Sequence, residues 1–150
     1  MKKQTKQTGP QGELLYGAHP IIEMLKSGRR KLISIYTTKP FPKSWERVQP
    51  YLPKSVPNIQ YVTKDILDRM TGGAEHMGVV AWASPYRFAS SMFKPAKYQN
   101  ILLLDAIQDV RNLGAILRSA YCTGITGVVL CKTKSAPLTP AAIKASAGLS

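Results

Sequence analysis

The sequence predicts an α/β protein, because short β-branched or apolar runs alternate with segments of helical period along most of its length. Two observations divide that alternation. Residues 85–99 are rich in Ser, Pro and Lys with scattered aromatics and no sustained period, and the run Ile101-Leu102-Leu103-Leu104 closes on Asp105, the pattern of a strand buried on both faces of a parallel sheet. The expected organisation is a basic tail over 1–12, a first α/β unit over 13–84, a linker over 85–99 and a second α/β unit over 100–150.

Residues 1–12 hold too little apolar surface to offset the entropy of ordering, so a flexible tail is expected there. Ala18, Ile21, Ile22 and Leu25 recur at i, i+3, i+4 and i+7 with Pro20 near the start, which predicts a helix ending at Ser27-Gly28. Arg29, Arg30 and Lys31 lead into Leu32–Thr37, a β-branched and aromatic strand. Ser44–Leu52 is a short helix candidate inside a proline-rich stretch. Ile59–Val62 reads as a strand, Thr63 as the cap of a helix with Ile66, Leu67 and Met70 on its apolar face, Gly72-Gly73 as its end, and Gly78–Ala83 as another strand.

In the second unit the strand at 101–104 is followed by a loop and a helix whose stripe is Leu113, Ile116, Leu117 and Ala120. Gly124 and Gly127 end that helix, Val128–Cys131 forms a second buried strand, and Thr139-Pro140 opens one more helix through a cap and a first-turn proline.

The 150 residues carry 21 Lys and Arg against 8 Asp and Glu, a net charge of +13, so a polyanion is the first partner to expect. Sixteen of those bases and six acids precede residue 101, which places the stronger grip on a polyanion in the first unit, with Arg29, Arg30 and Lys31 as its densest cluster. A basic surface also serves solubility alone, so charge by itself names no substrate. Cys122 and Cys131 form no CxxC pair and have no His close by, so no metal site and no disulfide framework is expected, and a reducing compartment fits. There is no secretory leader pattern and no apolar run of membrane-spanning length, which predicts a cytoplasmic protein that does not engage a membrane.

The stretch Asp109–Arg118 joins the end of a strand to a helix, where open α/β sheets place their ligands. Asp109 is a candidate cap, and Arg111 and Arg118, seven residues apart with Ala115 between them, share one helix face that suits a phosphate. Two exposed arginines on an ordinary amphipathic helix give the same spacing. No GxGxxG follows Leu104-Asp105 and no Walker loop occurs, so neither dinucleotide nor nucleoside triphosphate cradle is present.

The stretch Leu104-Asp-Ala-Ile-Gln-Asp-Val-Arg-Asn-Leu-Gly-Ala-Ile-Leu-Arg-Ser-Ala120, with Gly124 and Gly127-Val-Val-Leu130 after it, resembles the first signature motif of the SpoU/TrmH RNA ribose 2′-O-methyltransferases. Lys144-Ala-Ser-Ala-Gly148 resembles the family's second helix, and Tyr16-Gly-Ala-His-Pro20 and His76-Met-Gly-Val-Val-Ala81 resemble its N-terminal substrate-binding domain. The resemblance implies an N-terminal α/β/α RNA-binding domain at 13–84 joined to the first half of a SPOUT domain of trefoil-knot type at 100–150. It implies S-adenosylmethionine as methyl donor, Asn112 and Arg118 as catalytic residues, RNA as substrate, ribosomal rather than transfer RNA, and a homodimer for the complete protein. On residue chemistry, Arg111 joins Arg29, Arg30 and Lys31 as RNA-binding candidates, while Ser119 and His76 are candidates by type alone.

One departure stands out: where the family usually has Asp-Pro, this chain has Asp109-Val110, so a less rigid loop is expected. The family's later donor motifs, an Asn-Glu-Gly type loop and a Ser-Leu-Asn type loop, do not occur, and the cofactor-binding residues are expected after Ser150. A truncated product that does not bind the donor tightly, with the apolar faces of 101–104 and 128–130 partly uncovered, follows as an expectation. The competing reading is a non-catalytic RNA-binding module.

Overall fold

The computed structural model describes residues 12–55, 58–90 and 100–149. The tail expected at 1–12 thus lies outside the described residues except for Gly12, as does most of the linker expected at 85–99; residues 85–90 carry no helix or strand.

A four-stranded sheet is built from β1 (Glu13–Tyr16), β2 (Leu32–Thr37), β3 (Ile59–Tyr61) and β4 (Val79–Ala83), in the order β1-β4-β2-β3. β4 runs antiparallel to both neighbours, with Leu15 opposite Ala81 and Tyr36 opposite Val80, while β2 and β3 are parallel. The strand alternation sorts the core into two layers. Leu15, Ile35, Val79 and Ala81 face α1 (Ala18–Ser27) and α2 (Lys43–Val48), burying Ile21, Ile22, Trp45 and Val48. Tyr16, Tyr36 and Val80 face α3 (Lys64–Thr71), where Leu67 is fully buried. Each fully buried Leu, Ile or Val contributes about 1.5–3 kcal/mol, so apolar burial is the main term holding these three α/β/α layers together.

The second sheet has two parallel strands, β5 (Ile101–Leu104) and β6 (Gly127–Leu130), joined through α4 (Val110–Cys122). α4 lays Leu113, Leu117 and Ala120 inward, and these pack with Leu104, Val128 and Leu130. The last helix, α5 (Pro140–Ala145), couples both units: Ala142 enters the second core and Ile143 the first. Gly148 follows in a left-handed turn against α1, where a Cβ would sit 2.8 Å from the Pro20 Cα.

Most elements fall where the periodicity puts them, and the differences have physical causes. β1 has no alternation of its own and forms by pairing with β4. The helix expected at Ser44–Leu52 is α2 followed by a 3-10 turn, Gln49–Tyr51, because Pro50 removes an amide donor. Thr63 precedes α3 without a side-chain capping bond, and Ile66 points outward on an eight-residue helix that buries only Leu67. β5 is not buried on both faces. Ile101, Leu103 and Val129 are exposed, Leu103 by 74%, because α4 covers one face of the pair and no described element covers the other.

Candidate functional site

The two strand ends of the parallel pair, the loop 105–109 and the first turn of α4 form one open edge. Asp109 adopts an extended backbone and its Oδ1 accepts from the amides of Arg111 and Asn112, each at 2.8 Å, satisfying two donors that a helix start leaves unpaired. Val110 occupies the first helical position with the cap intact, so the missing proline leaves the helix start formed. Ala106 sits at φ 53°, a left-handed turn that costs a non-glycine residue about 1–2 kcal/mol, which bends the chain from β5 toward α4. Asp105 and Cys131 meet across the strand ends, with the Cys131 thiol 3.5 Å from Asp105 Oδ1.

Arg111, Asn112, Ala115, Arg118 and Ser119 are all exposed on α4, opposite the buried stripe of Leu113, Leu117 and Ala120. At about 100° and 1.5 Å per residue, Arg111 and Arg118 lie on one face about 10 Å apart along the axis, whereas Asn112 lies about 120° around the helix from Arg118. The structure therefore puts the two arginines on one face and Asn112 on another, with Arg111 and Asn112 both in the first turn of α4. Among the described residues no carboxylate pairs with Arg111 or Arg118.

The basic turn before β2 is not one uniform gripper. Arg29 and Lys31 are exposed, but Arg30 is drawn inward: its Nη2 donates to Glu13 Oε2 at 3.0 Å and its Nε to the Ser84 carbonyl at 2.7 Å, with 9% of the side chain exposed. Burial pushes the Arg30 guanidinium below its ordinary value, against the upward pull of Glu13. Arg30 thus ties β1 to the end of β4, while Arg29 and Lys31 beside it stay exposed.

His76 is likewise structural. Its Nδ1 accepts from the Gly78 amide at 2.9 Å, which leaves the proton on Nε2 to be donated to Asp68 Oδ1 at 2.9 Å. The ring is buried in the loop before β4.

A feature that the sequence reading passed over lies at the far end of β2. Phe41 and Tyr61 are exposed aromatics with centroids 5.9 Å apart, and the Lys39 amine stands 4.2 Å from the Tyr61 ring centre. The signal present in sequence is Lys39-Pro-Phe-Pro-Lys43, basic residues interleaved with an aromatic inside the proline-rich stretch.

The family profile described as RNA 2'-O ribose methyltransferase substrate binding matches residues 14–89, and the SpoU rRNA Methylase family profile matches residues 99–150. YacO of Bacillus subtilis, named as a TrmH family tRNA/rRNA methyltransferase, is 35% identical over an alignment of 145 positions that covers 92% of this chain and 57% of YacO. RlmB of Pasteurella multocida, a 23S rRNA (guanosine-2'-O-)-methyltransferase, is 33% identical over 144 residues, covering 91% of this chain and 58% of RlmB. Among solved structures, the SpoU methyltransferase AviRb from Streptomyces viridochromogenes, in complex with the cofactor AdoMet, shares the fold at a TM-score of 0.70 and 18% identity, over 98% of this chain and 54% of AviRb. The chain spans a little over half the length of these relatives. With a substrate-binding profile followed directly by a methylase profile on a matching α/β fold, this chain belongs to the SpoU/TrmH family of RNA ribose 2'-O-methyltransferases.

Proposed function

We propose that the protein takes part in S-adenosylmethionine-dependent methylation of a ribose 2′-hydroxyl in RNA, with ribosomal RNA as the substrate class. The observation that carries this reading is α4: a helix capped by Asp109 that presents Arg111, Asn112 and Arg118 at the open end of a parallel strand pair, inside the segment matched by the methylase profile. The RlmB name of a relative supports ribosomal over transfer RNA.

S-adenosylmethionine supplies an electrophilic methyl group when bound. Asp105, Ala106, Gln108 and Cys131 along this edge are all exposed, so these residues do not by themselves fit the donor. The chain's own contribution is to hold RNA and to prepare the hydroxyl. A guanidinium holds its proton throughout the physiological range and is a poor base, so Arg118 orients a substrate phosphate and stabilises the developing alkoxide. Asn112 supports that geometry by hydrogen bonding, and Arg111, Arg29 and Lys31 contribute phosphate contacts. A homodimer and a cytoplasmic setting belong to the same proposal. Among the described residues no helix is long and apolar enough to cross a membrane.

The test is made on this chain together with whatever its gene encodes beyond Ser150. Arg118→Ala should abolish methyl transfer to ribosomal RNA while RNA affinity stays within a few-fold. A large loss of affinity with residual turnover overturns the assignment. Calorimetric titration of S-adenosylmethionine into the 150-residue chain adds a second check, since tight binding there would place the donor site on the 105–118 edge.

The open edge also favours a second reading for these 150 residues taken alone, a non-catalytic RNA-binding module. It predicts salt-sensitive RNA binding with no donor binding in that titration.

A further inference from the structure

Phe41 and Tyr61 are exposed by 47% and 50%, and neither ring is loosely placed. Trp45, 3% exposed, stacks beneath Phe41 at 6.0 Å and 21°, and Pro40 and Pro42 restrict the backbone on either side. Tyr61 closes β3 and is held by Phe41 on one side and the Lys39 amine on another. Single exposed aromatics are ordinary on protein surfaces, but two adjacent rings inclined at 52° with a cation against them make a two-walled platform.

Beside the platform runs a groove of about 750 Å³ whose lining includes Lys39, Lys43, Lys64, Asp68 and Glu75. Both acids are already engaged. Asp68 accepts from His76 at 2.9 Å, and Glu75 pairs with Lys144 at 3.1 Å. No described carboxylate pairs with the three lysines, which outnumber the two acids of the lining, and Lys39 belongs both to the groove and to the rings.

We infer that this end of the sheet receives an unpaired RNA nucleotide, its base stacked on one of the exposed Phe41 and Tyr61 rings with the other, inclined at 52°, against its edge, and its flanking phosphates laid along Lys39, Lys43 and Lys64. The inference rests on the reading that the protein holds RNA, and deepens it. Only an unstacked base offers a free π face, so the site selects single strands, loops or bulges over duplex. Lys39 leaves the Tyr61 ring for a phosphate as the base arrives. The site is separate from Arg29 and Lys31, which precede β2 while Lys39 follows it, about 20 Å along a six-residue strand.

The test is fluorescence anisotropy of the 150-residue chain with three labelled probes of equal length: oligoadenylate, an abasic ribose-phosphate oligomer and a blunt RNA duplex. Phe41→Leu with Tyr61→Leu removes the rings while keeping apolar volume, and should weaken oligoadenylate binding about tenfold while changing the abasic probe by less than about twofold. Tyr61→Phe should retain binding. Lys43→Ala with Lys64→Ala should weaken both single-stranded probes. Equal losses on both single-stranded probes in the ring variant, or a change in self-association without any change in RNA affinity, overturn the stacking site. If RNA binds and all these variants match the parent, the site fails and the RNA-holding reading survives. If no probe binds at low salt, both fail.

Discussion

Gly114 of α4 faces Ala142 of α5 so closely that a Cβ on Gly114 would lie 2.5 Å from the Ala142 carbonyl oxygen and 3.0 Å from the Ser146 amide nitrogen. Two helices meet there backbone to backbone, and α5 in turn plants Ile143 in the first core. The position of the Asp109–Arg118 edge relative to the substrate-binding unit therefore depends on one missing methyl group.

Gly114→Ala should destabilise the protein by about 1–3 kcal/mol, since the clash is with backbone atoms that cannot rotate away and outweighs the helix propensity gained. Thermal unfolding followed by circular dichroism decides it. A variant that melts at or above the parent temperature means the helices do not approach this closely in solution.

Arg30 and its neighbours should separate cleanly. Arg30→Ala loses two charged hydrogen bonds to Glu13 and Ser84 and should cost about 2 kcal/mol in urea unfolding. Arg29→Ala with Lys31→Ala should leave stability within about 0.5 kcal/mol. If these two residues contact phosphate, that double variant also lowers the slope of log affinity against log salt by about two. An unchanged slope would make the turn a merely solvated surface.

His76→Ala strands the Gly78 amide and the Asp68 carboxylate, and should cost about 1–3 kcal/mol. In a catalytic protein containing it, activity should fall only as far as the folded fraction falls. Loss of turnover in a fully folded His76→Ala protein would restore a chemical role to this residue.

Ile101, Leu103 and Val129 expose one apolar face of the β5–β6 pair. Leu103→Thr with Val129→Thr should reduce self-association of the 150-residue chain in sedimentation velocity and leave its melting temperature nearly unchanged. A parent chain that sediments as a monomer across the concentration range would refute the expectation.

Where a residue's role is set by local chemistry, the sequence alone was sufficient. The 3.6 period of Ala18, Ile21, Ile22 and Leu25, the cap at Asp109 and the cap and proline at Thr139-Pro140 all require only near neighbours, and each forms as read. The shared face of Arg111 and Arg118 follows from helical geometry in the same way. Partnerships across the fold were out of reach. Arg30 looks like Arg29 and Lys31 until Glu13 and Ser84 arrive from β1 and the end of β4, and β1 becomes a strand only when β4 supplies its hydrogen bonds. Lys39, Phe41 and Tyr61 converge because β2 and β3 are parallel neighbours that end side by side, a juxtaposition across some 20 residues that no local period encodes. The sequence by itself determined most of the elements and the capped helix; tertiary structure decided that β1 is a strand, which cations are occupied, which aromatics are presented and which sheet face stays open, because burial and pairing are properties of contacts between distant segments.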